Sequence, residues 1–264
     1  MLKNILTLLA PEYPWGQELQ YYEEISSTNT CLKDMARAGA PEGTALIARR
    51  QTGGRGRLGR SFQSAEGGVY LSLLLRPRCS PDDLMHLTCA VAVAMCDAVE
   101  AACGLRSGIK WTNDLVYGRK KLGGILTELG FGPKGTVDYC VLGIGINCCQ
   151  QEEDFPPELR DMAASLSMVT GKPLSPDVLA ARMLENLWEM SAVLLSEKSN
   201  ILSRYRENCV TLGQDVSVVR SDSLRHGKAL DITDSGALLV QYSDGSREAV
   251  NSGEVSIRGM YGYL

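Results

Sequence analysis

Apolar positions along the chain fall into two kinds of run. Short, nearly continuous apolar stretches occur in "TALIARRQ" (44–51), "GVYLSLLLR" (68–76) and "VDYCVLGIGIN" (137–147), each bounded by glycine, proline or polar residues. Runs of that length and texture predict strands buried on one or both faces. "LQYYEEI" (19–25), "GIKWTND" (108–114) and "KKLGGILTEL" (120–129) add strand-like pieces. Elsewhere the apolar residues recur every three or four positions, which predicts helices. One covers "STNTCLKDMARAG", with Thr28 or Asn29 as cap, Leu32, Met35 and Ala36 as its stripe, and Gly39 as its stop. A second starts with Ser80 as N-cap, Pro81 in the first turn and Asp82 and Asp83 against the dipole. It carries Leu84, Leu87, Val91, Ala94, Ala98 and Ala102 on one face and ends at Gly104. A third begins at Ser175-Pro176-Asp177 and runs through Leu179, Met183, Leu187 and Leu194; a shorter one covers about 200–209.

After Thr211 the texture changes. "DVSVVR", "GKALDIT", "GALLVQYS", "REAVNS" and "EVSIRG" read as short strands separated by turn signals, among them Asp234-Ser235-Gly236 and Asp244-Gly245. This predicts a small β-barrel, too small to be comfortable alone and so docked on what precedes it. The expected class is α+β, with a larger domain over 1–210 and a small β domain over 211–264.

Composition narrows the chemistry. At 264 residues, 44% hydrophobic and 22% charged, the chain has ordinary globular proportions. A formal net charge of −4 argues against broad nucleic-acid binding, so any anion site must be local. No stretch resembles a transmembrane span, and "ILTLLA" (5–10) meets "PEYPWG" rather than a cleavage site. Nine scattered cysteines, including the adjacent Cys148 and Cys149, show no CxxC spacing; with only His86 and His226 besides, neither a disulfide framework nor a zinc site is expected. The expectation is a cytoplasmic protein without a structural metal or membrane partner.

Against that acidic background, "QTGGRGRLGR" (51–60) concentrates Arg55, Arg57 and Arg60 among four glycines. Either this is a solvated loop, or backbone amides and guanidinium groups close over an anion. "KWTND" (110–114) read alone is a strand end, with Trp111 in the core and Asn113-Asp114 turning the chain. "RKKLGGILTE" (119–128) reads alone as a surface turn, and "GIGIN" (143–147) places glycines inside a strand, where a ligand or another backbone often comes close.

Together and in this order, "STN" (27–29), "GRGRLGR" (54–60), "KWTND", "KLGG" (121–124) and "GIGIN" resemble the motif series of biotin protein ligases. The likeness spans about residues 20–150, and the C-terminal β module extends it to nearly the whole chain. It implies a mixed β-sheet catalytic domain packed by helices, like that of class II aminoacyl-tRNA synthetases, and a small SH3-like barrel. It also implies formation of biotinyl-5′-AMP from biotin and ATP with magnesium, then transfer to one lysine of a biotin carboxyl carrier domain. By motif, Ser27, Thr28, Asn29 and Gln51 would line the biotin end. Arg55, Gly56 and Arg57 would close over the carboxylate and α-phosphate, with Lys121 at the reacting oxygens beside Gly124. Arg60, Phe62, Lys110, Asn113, Asp114 and Asn147 would hold the nucleotide, with Asp114 a candidate for orienting magnesium. Two departures are visible: Thr112 stands where the family usually has proline, and Phe62 where it has tryptophan. The loop "CCQQEEDFPPELRDMAAS" is either a plain surface loop or a cover for the adenine with Phe155 as its lid. The resemblance further implies a possible homodimer. With about 20 residues ahead of the ligase region, no repressor function is expected.

Overall fold

A computed structural model describes residues 1–220, 223–251 and 254–257. Seven strands form one mixed sheet: β1 (Leu19–Ile25), β2 (Ala45–Gln51), β3 (Gly68–Leu75), β4 (Gly108–Lys110), β5 (Asp114–Tyr117), β6 (Lys120–Phe131) and β7 (Val137–Asn147). Their order is β1-β2-β3-β7-β6-β5-β4; β1 and β2 pair in parallel and every other neighbour is antiparallel.

Side-chain alternation divides this sheet into two faces. On β3, Val69, Leu71, Leu73 and Leu75 join the main core, as do Cys140, Leu142, Ile144 and Ile146 on β7. Helices α3 (Leu87–Cys103), α5 (Pro176–Val193), α6 (Lys198–Asn208) and the short α1 (Leu2–Leu8) and α4 (Leu166–Thr170) build the layer over that face. The opposite face carries Leu46, Leu74, Tyr139 and Val141, covered by Leu32 and Ala36 of α2 (Thr28–Arg37). Because α2 covers only the end of that face, the rows beyond its N-terminus stay open. On β7 those rows hold Gly143, Gly145 and Asn147. They lie opposite Ser72, Tyr70 and Gly68 of β3, and opposite Leu126 and Gly124 of β6 for the first two.

A second, five-stranded antiparallel sheet contains β8 (Asp215–Arg220), β9 (Ser223–Ile232), β10 (Leu238–Tyr242), β11 (Arg247–Val250) and β12 (Glu254–Ile257), in the order β11-β10-β9-β8-β12. Val216, Val218, Ala229, Ile232, Leu238, Val240, Tyr242 and Val250 are among its buried residues. Of the "EVSIRG" segment, only 254–257 falls within the described residues. The larger sheet grips this module's approach through Val210, whose N–H donates to Ile109 O at 3.0 Å.

Several expectations need correction. The cap of α2 is Ser27, whose Oγ accepts from Thr30 N; Thr28 and Asn29 belong to the first turn and turn their side chains into the site. The signals at 80–83 serve a 3₁₀ turn (Asp82–Leu84), with Ser80 and Asp83 bonded to each other, and α3 starts only at Leu87. Gly104 does end it, in the left-handed conformation (φ 74°). "GIKWTND" is not one strand, because a turn at 111–113 separates β4 from β5. One stretch, Asp82–Cys103, is long and apolar enough to cross a membrane, contrary to expectation. Here 72% of it is buried inside the fold, where it forms the core helix.

Candidate active site

The open rows of the sheet form the floor of a cavity of about 330 Å³. All fifteen residues singled out from the sequence line it: Ser27, Thr28, Asn29, Gln51, Arg55, Gly56, Arg57, Arg60, Phe62, Lys110, Asn113, Asp114, Lys121, Gly124 and Asn147. Five of the lining residues are basic (Arg55, Arg57, Arg60, Lys110, Lys121) and only Asp114 is acidic. An acidic protein has therefore gathered a strong local positive field, the condition for binding anions in a confined cleft.

Strand β7 serves as a ruler along the floor. At its near end, Gly143 leaves space for Asn29: a Cβ there would sit 2.0 Å from Asn29 Oδ1. Both ends of that buried amide are committed. Nδ2 donates to Leu126 O at 3.2 Å and to Glu128 Oε2 at 3.0 Å, and Oδ1 lies 2.5 Å from Ser72 Oγ. Glu128 is in turn bound by Lys33 at 2.6 Å. Burial alone would raise the Glu128 carboxyl, but its bonds from Lys33 and Asn29 outweigh that and hold it below the usual carboxylate range. Thr28 donates its N–H and its hydroxyl to Gln51 Oε1 (2.8 and 3.1 Å), and Gln51 Nε2 donates to Ser64 Oγ. This end is polar, hydrogen-bonding and uncharged apart from the Lys33–Glu128 pair behind it.

Two residues on, Gly145 makes room for the Phe62 ring, which would lie 2.5 Å from a Cβ. Phe62 packs edge-on to Tyr70, and Lys121 Nζ stands 5.8 Å from its ring centroid. Lys121 forms an ion pair with Asp114 at 2.6 Å. Arg57 Nη1 donates to Asn113 Oδ1 at 3.1 Å while Asn113 Nδ2 donates to Ile125 O, so the guanidinium is held against the sheet. Burial lowers the Arg57 pKa, yet arginine starts high enough to stay charged. The loop that carries it folds on itself: Gly56 N donates to Arg60 O, Phe62 N donates to Gly54 O, and Leu58 adopts the left-handed region (φ 56°). Its glycines thus allow a tight closure at the cavity rim, with Arg55, Leu58, Gly59 and Arg60 still exposed.

At the far end, buried Asn147 donates to Ala164 O at 3.2 Å. The loop beyond it contributes Phe155, Leu159, Met162 and Ala163 to the cavity wall, an apolar surface that only Phe155 had signalled. Phe155 is buried, and the loop is tied to the site: Lys121 N donates to Met162 O, Ala164 N to Lys121 O, and Lys120 Nζ to Arg160 O. Ser61, Gln63, Gly143 and Ile144 also line the cavity without having been singled out as ligand-binding residues.

Magnesium, implied by the resemblance, finds one carboxylate in the cavity. Among the described residues no group of three His, Cys, Asp or Glu could hold a metal. One carboxylate beside a polyphosphate site suits a magnesium carried by phosphates rather than a protein cage.

A mixed sheet with a cationic cleft on one face, and a second, antiparallel sheet beyond it, suits the binding of anionic ligands. Residues 21–147 match the biotin/lipoate A/B protein ligase family, and 211–258 match the biotin protein ligase C-terminal domain. The chain is 36% identical over 235 residues to the bifunctional ligase/repressor BirA of Bacillus spizizenii, covering 88% of this chain and 72% of that one. It is 30% identical over 248 residues to the biotin--[acetyl-CoA-carboxylase] ligase of Mycobacterium tuberculosis, covering 91% and 89%. Biotin protein ligase from Aquifex aeolicus in complex with biotin and ATP superposes with a TM-score of 0.76 at 30% identity, over 91% of this chain and 98% of that one. The chain belongs to the biotin protein ligase family.

Proposed function

We infer that this chain is an ATP-dependent biotin protein ligase. The observation that carries the reading is the order of chemistry along β7: neutral hydrogen-bonding groups at Gly143, cations at Gly145 and a buried amide at Asn147. That span covers five residues and four strand rises, roughly 13 Å. It suits a ureido ring, then a carboxylate facing a phosphate, then a purine.

In the first step a biotin carboxylate oxygen attacks the α-phosphorus of ATP, and the bond to pyrophosphate breaks. Arg55, Arg57 and Lys121 offset the repulsion between carboxylate and triphosphate and stabilise charge at the transferring phosphorus. Arg60, Lys110 and Asn113 hold the polyphosphate side. Phe62 packs against the adenylate, and Asn147 meets the adenine with Phe155 covering it. Magnesium would neutralise phosphate charge with Asp114 as its protein ligand. In the second step a carrier lysine amine attacks the biotinyl carbonyl carbon and AMP leaves with the bonding electrons. The partner proposed is the biotin carboxyl carrier domain of a carboxylase, in the cytoplasm, a compartment supported by nine unpaired cysteines. A homodimer belongs to the same proposal and is read by sedimentation with and without ligand.

The test is mass spectrometry of the protein with biotin, ATP and magnesium, with and without a carrier domain, and lipoate in parallel. Biotinyl-AMP in both samples and one added biotin on the carrier lysine are expected. Activity with lipoate and none with biotin overturns the reading, and adenylate without transfer moves the protein to a sensor role.

A further inference from the structure

The segment Lys110–Asp114 supplies four residues to the cavity and receives two of its cations: Arg57 bonds Asn113, and Lys121 pairs with Asp114. Its own residues 111–113 form a turn between β4 and β5. Asn113 is tied to β6, with Ile125 N donating to Asn113 O at 2.9 Å and Asn113 Nδ2 to Ile125 O at 2.8 Å, which leaves Trp111 and Thr112 to be held otherwise. What holds them comes from the far side of the sheet. Trp111 N donates to Thr211 Oγ1 at 2.8 Å, Trp111 Nε1 donates to Gly236 O at 3.0 Å, and Tyr205 Oη donates to Thr112 O at 3.0 Å. Tyr205 and Thr211 are fully buried and neither lines the cavity. Tyr205 lies on α6, Thr211 at the entry to the five-stranded module, and Gly236 in the turn before β10 (φ 79°). That turn sits against Cys89 and Met85 at the start of α3.

We propose that Tyr205 and Thr211 are positioning residues for the nucleotide end of the site, and that the C-terminal module completes that end through Gly236. The inference rests on the ligase reading for what the site binds, but not for the geometry. Two hydrogen bonds fix the 110–111 and 112–113 peptide groups and a third holds the Trp111 indole, and that turn aims Asn113 and Asp114. Asn113 orients Arg57; Asp114 orients Lys121. The biotin end, built from α2, β3 and Glu128, shares none of these bonds. Loss of one clamp should therefore act chiefly on nucleotide, reaching biotin only through Arg57 and Lys121 at its carboxylate.

The experiment uses the full chain carrying Thr211→Val, Thr211→Ser or Tyr205→Phe. Thr211→Val keeps the shape and removes the acceptor for a buried N–H, and Tyr205→Phe removes only the hydroxyl. Four quantities are read: the KM for ATP in adenylate formation, the Kd for biotin alone, the melting temperature, and hydrogen exchange across 110–114. Expected for Thr211→Val and Tyr205→Phe are a KM for ATP raised on the order of tenfold, a scale set by one buried hydrogen bond, and faster exchange at 110–114. Biotin Kd should change less than the KM for ATP, since the hydrogen-bonding end built from α2, β3 and Glu128 shares none of these bonds and unconnected sites behave independently. Thr211→Ser, which keeps the oxygen, should restore both readouts. Unchanged exchange and ATP dependence in both variants overturn the proposal. So does a biotin Kd that weakens in step with melting temperature, or a serine variant no better than valine. If the wild type forms no adenylate, the ligase reading fails, and exchange at 110–114 still decides the positioning role.

Discussion

Gly143→Ala tests whether the floor of the cavity and Asn29 form one rigid unit. A Cβ at this position would lie 2.0 Å from Asn29 Oδ1 and 2.5 Å from its Cγ. Ordinary van der Waals contact requires more than an ångström of additional separation. Asn29 cannot swing aside cheaply: it is 5% exposed and held by Leu126 O, Glu128 and Ser72. Overpacking in such a site costs about 1–3 kcal/mol, and each buried hydrogen bond left open adds about 1–3 kcal/mol. A loss of about 3 kcal/mol in unfolding free energy is expected, together with a biotin affinity weakened roughly a hundredfold, the factor equivalent to about 2.7 kcal/mol. Urea unfolding and titration calorimetry with biotin read the two effects. The decisive arm is the double variant. With Asn29→Ala already in place the clash partner is gone, so Gly143→Ala should cost little further stability. Equal destabilisation in both backgrounds, or a Gly143→Ala protein as stable and as tight for biotin as the wild type, refutes the reasoning.

Other expectations follow from single side chains. Lys121→Ala should lower adenylate formation about 10²–10³-fold, the scale for removing one donor to developing charge. Its stability should change by no more than about 1 kcal/mol, since the pair with Asp114 is partly solvated; steady-state kinetics and urea melts check both. Arg57→Gly should release biotinyl-AMP before transfer, seen as biotin on lysines of bystander proteins in a blot, whereas labelling confined to the carrier lysine contradicts the role. His86 is buried, donates Nε2–H to Leu194 O at 2.9 Å, and leaves Nδ1 without a partner. Burial lowers its pKa, so the unfolded chain binds the proton more readily. Stability should then fall as pH drops from about 6.5 toward 5, by at most about 1.4 kcal/mol per pH unit. His86→Gln should flatten that part of a pH-dependent melting curve.

The strands and their motif-bearing ends were legible because each apolar run is short and closed by glycine or polar residues; β7 begins and ends where "VDYCVLGIGIN" does. The ligand groups were legible through resemblance, and the structure brings them to one cavity. What remained hidden depends on chain segments far apart in sequence. Ser72 and Glu128 look like ordinary strand residues until β3, β7 and β6 are laid side by side. Thr211 and Tyr205 acquire meaning only when the C-terminal module folds back on Trp111. The start of α3 was misread because Ser80-Pro81-Asp82 can cap any helical turn, and here they cap a 3₁₀ turn that stops before the long helix. Helix α1, seven residues long, is too short to show a period and is held by packing on α5.

A floor built from Gly124, Gly143 and Gly145 has nothing left to trim. A methyl added at Gly143 or Gly145 meets Asn29 or the Phe62 ring first, so engineering at these positions acts through the side chains that rest on them. Room for a bulkier acid has to be found away from the floor, in Leu58, Phe155, Leu159 and Met162, which line the cavity from outside the sheet. Substrate range in this protein is thus adjustable from those walls, while the glycine floor stays as it is.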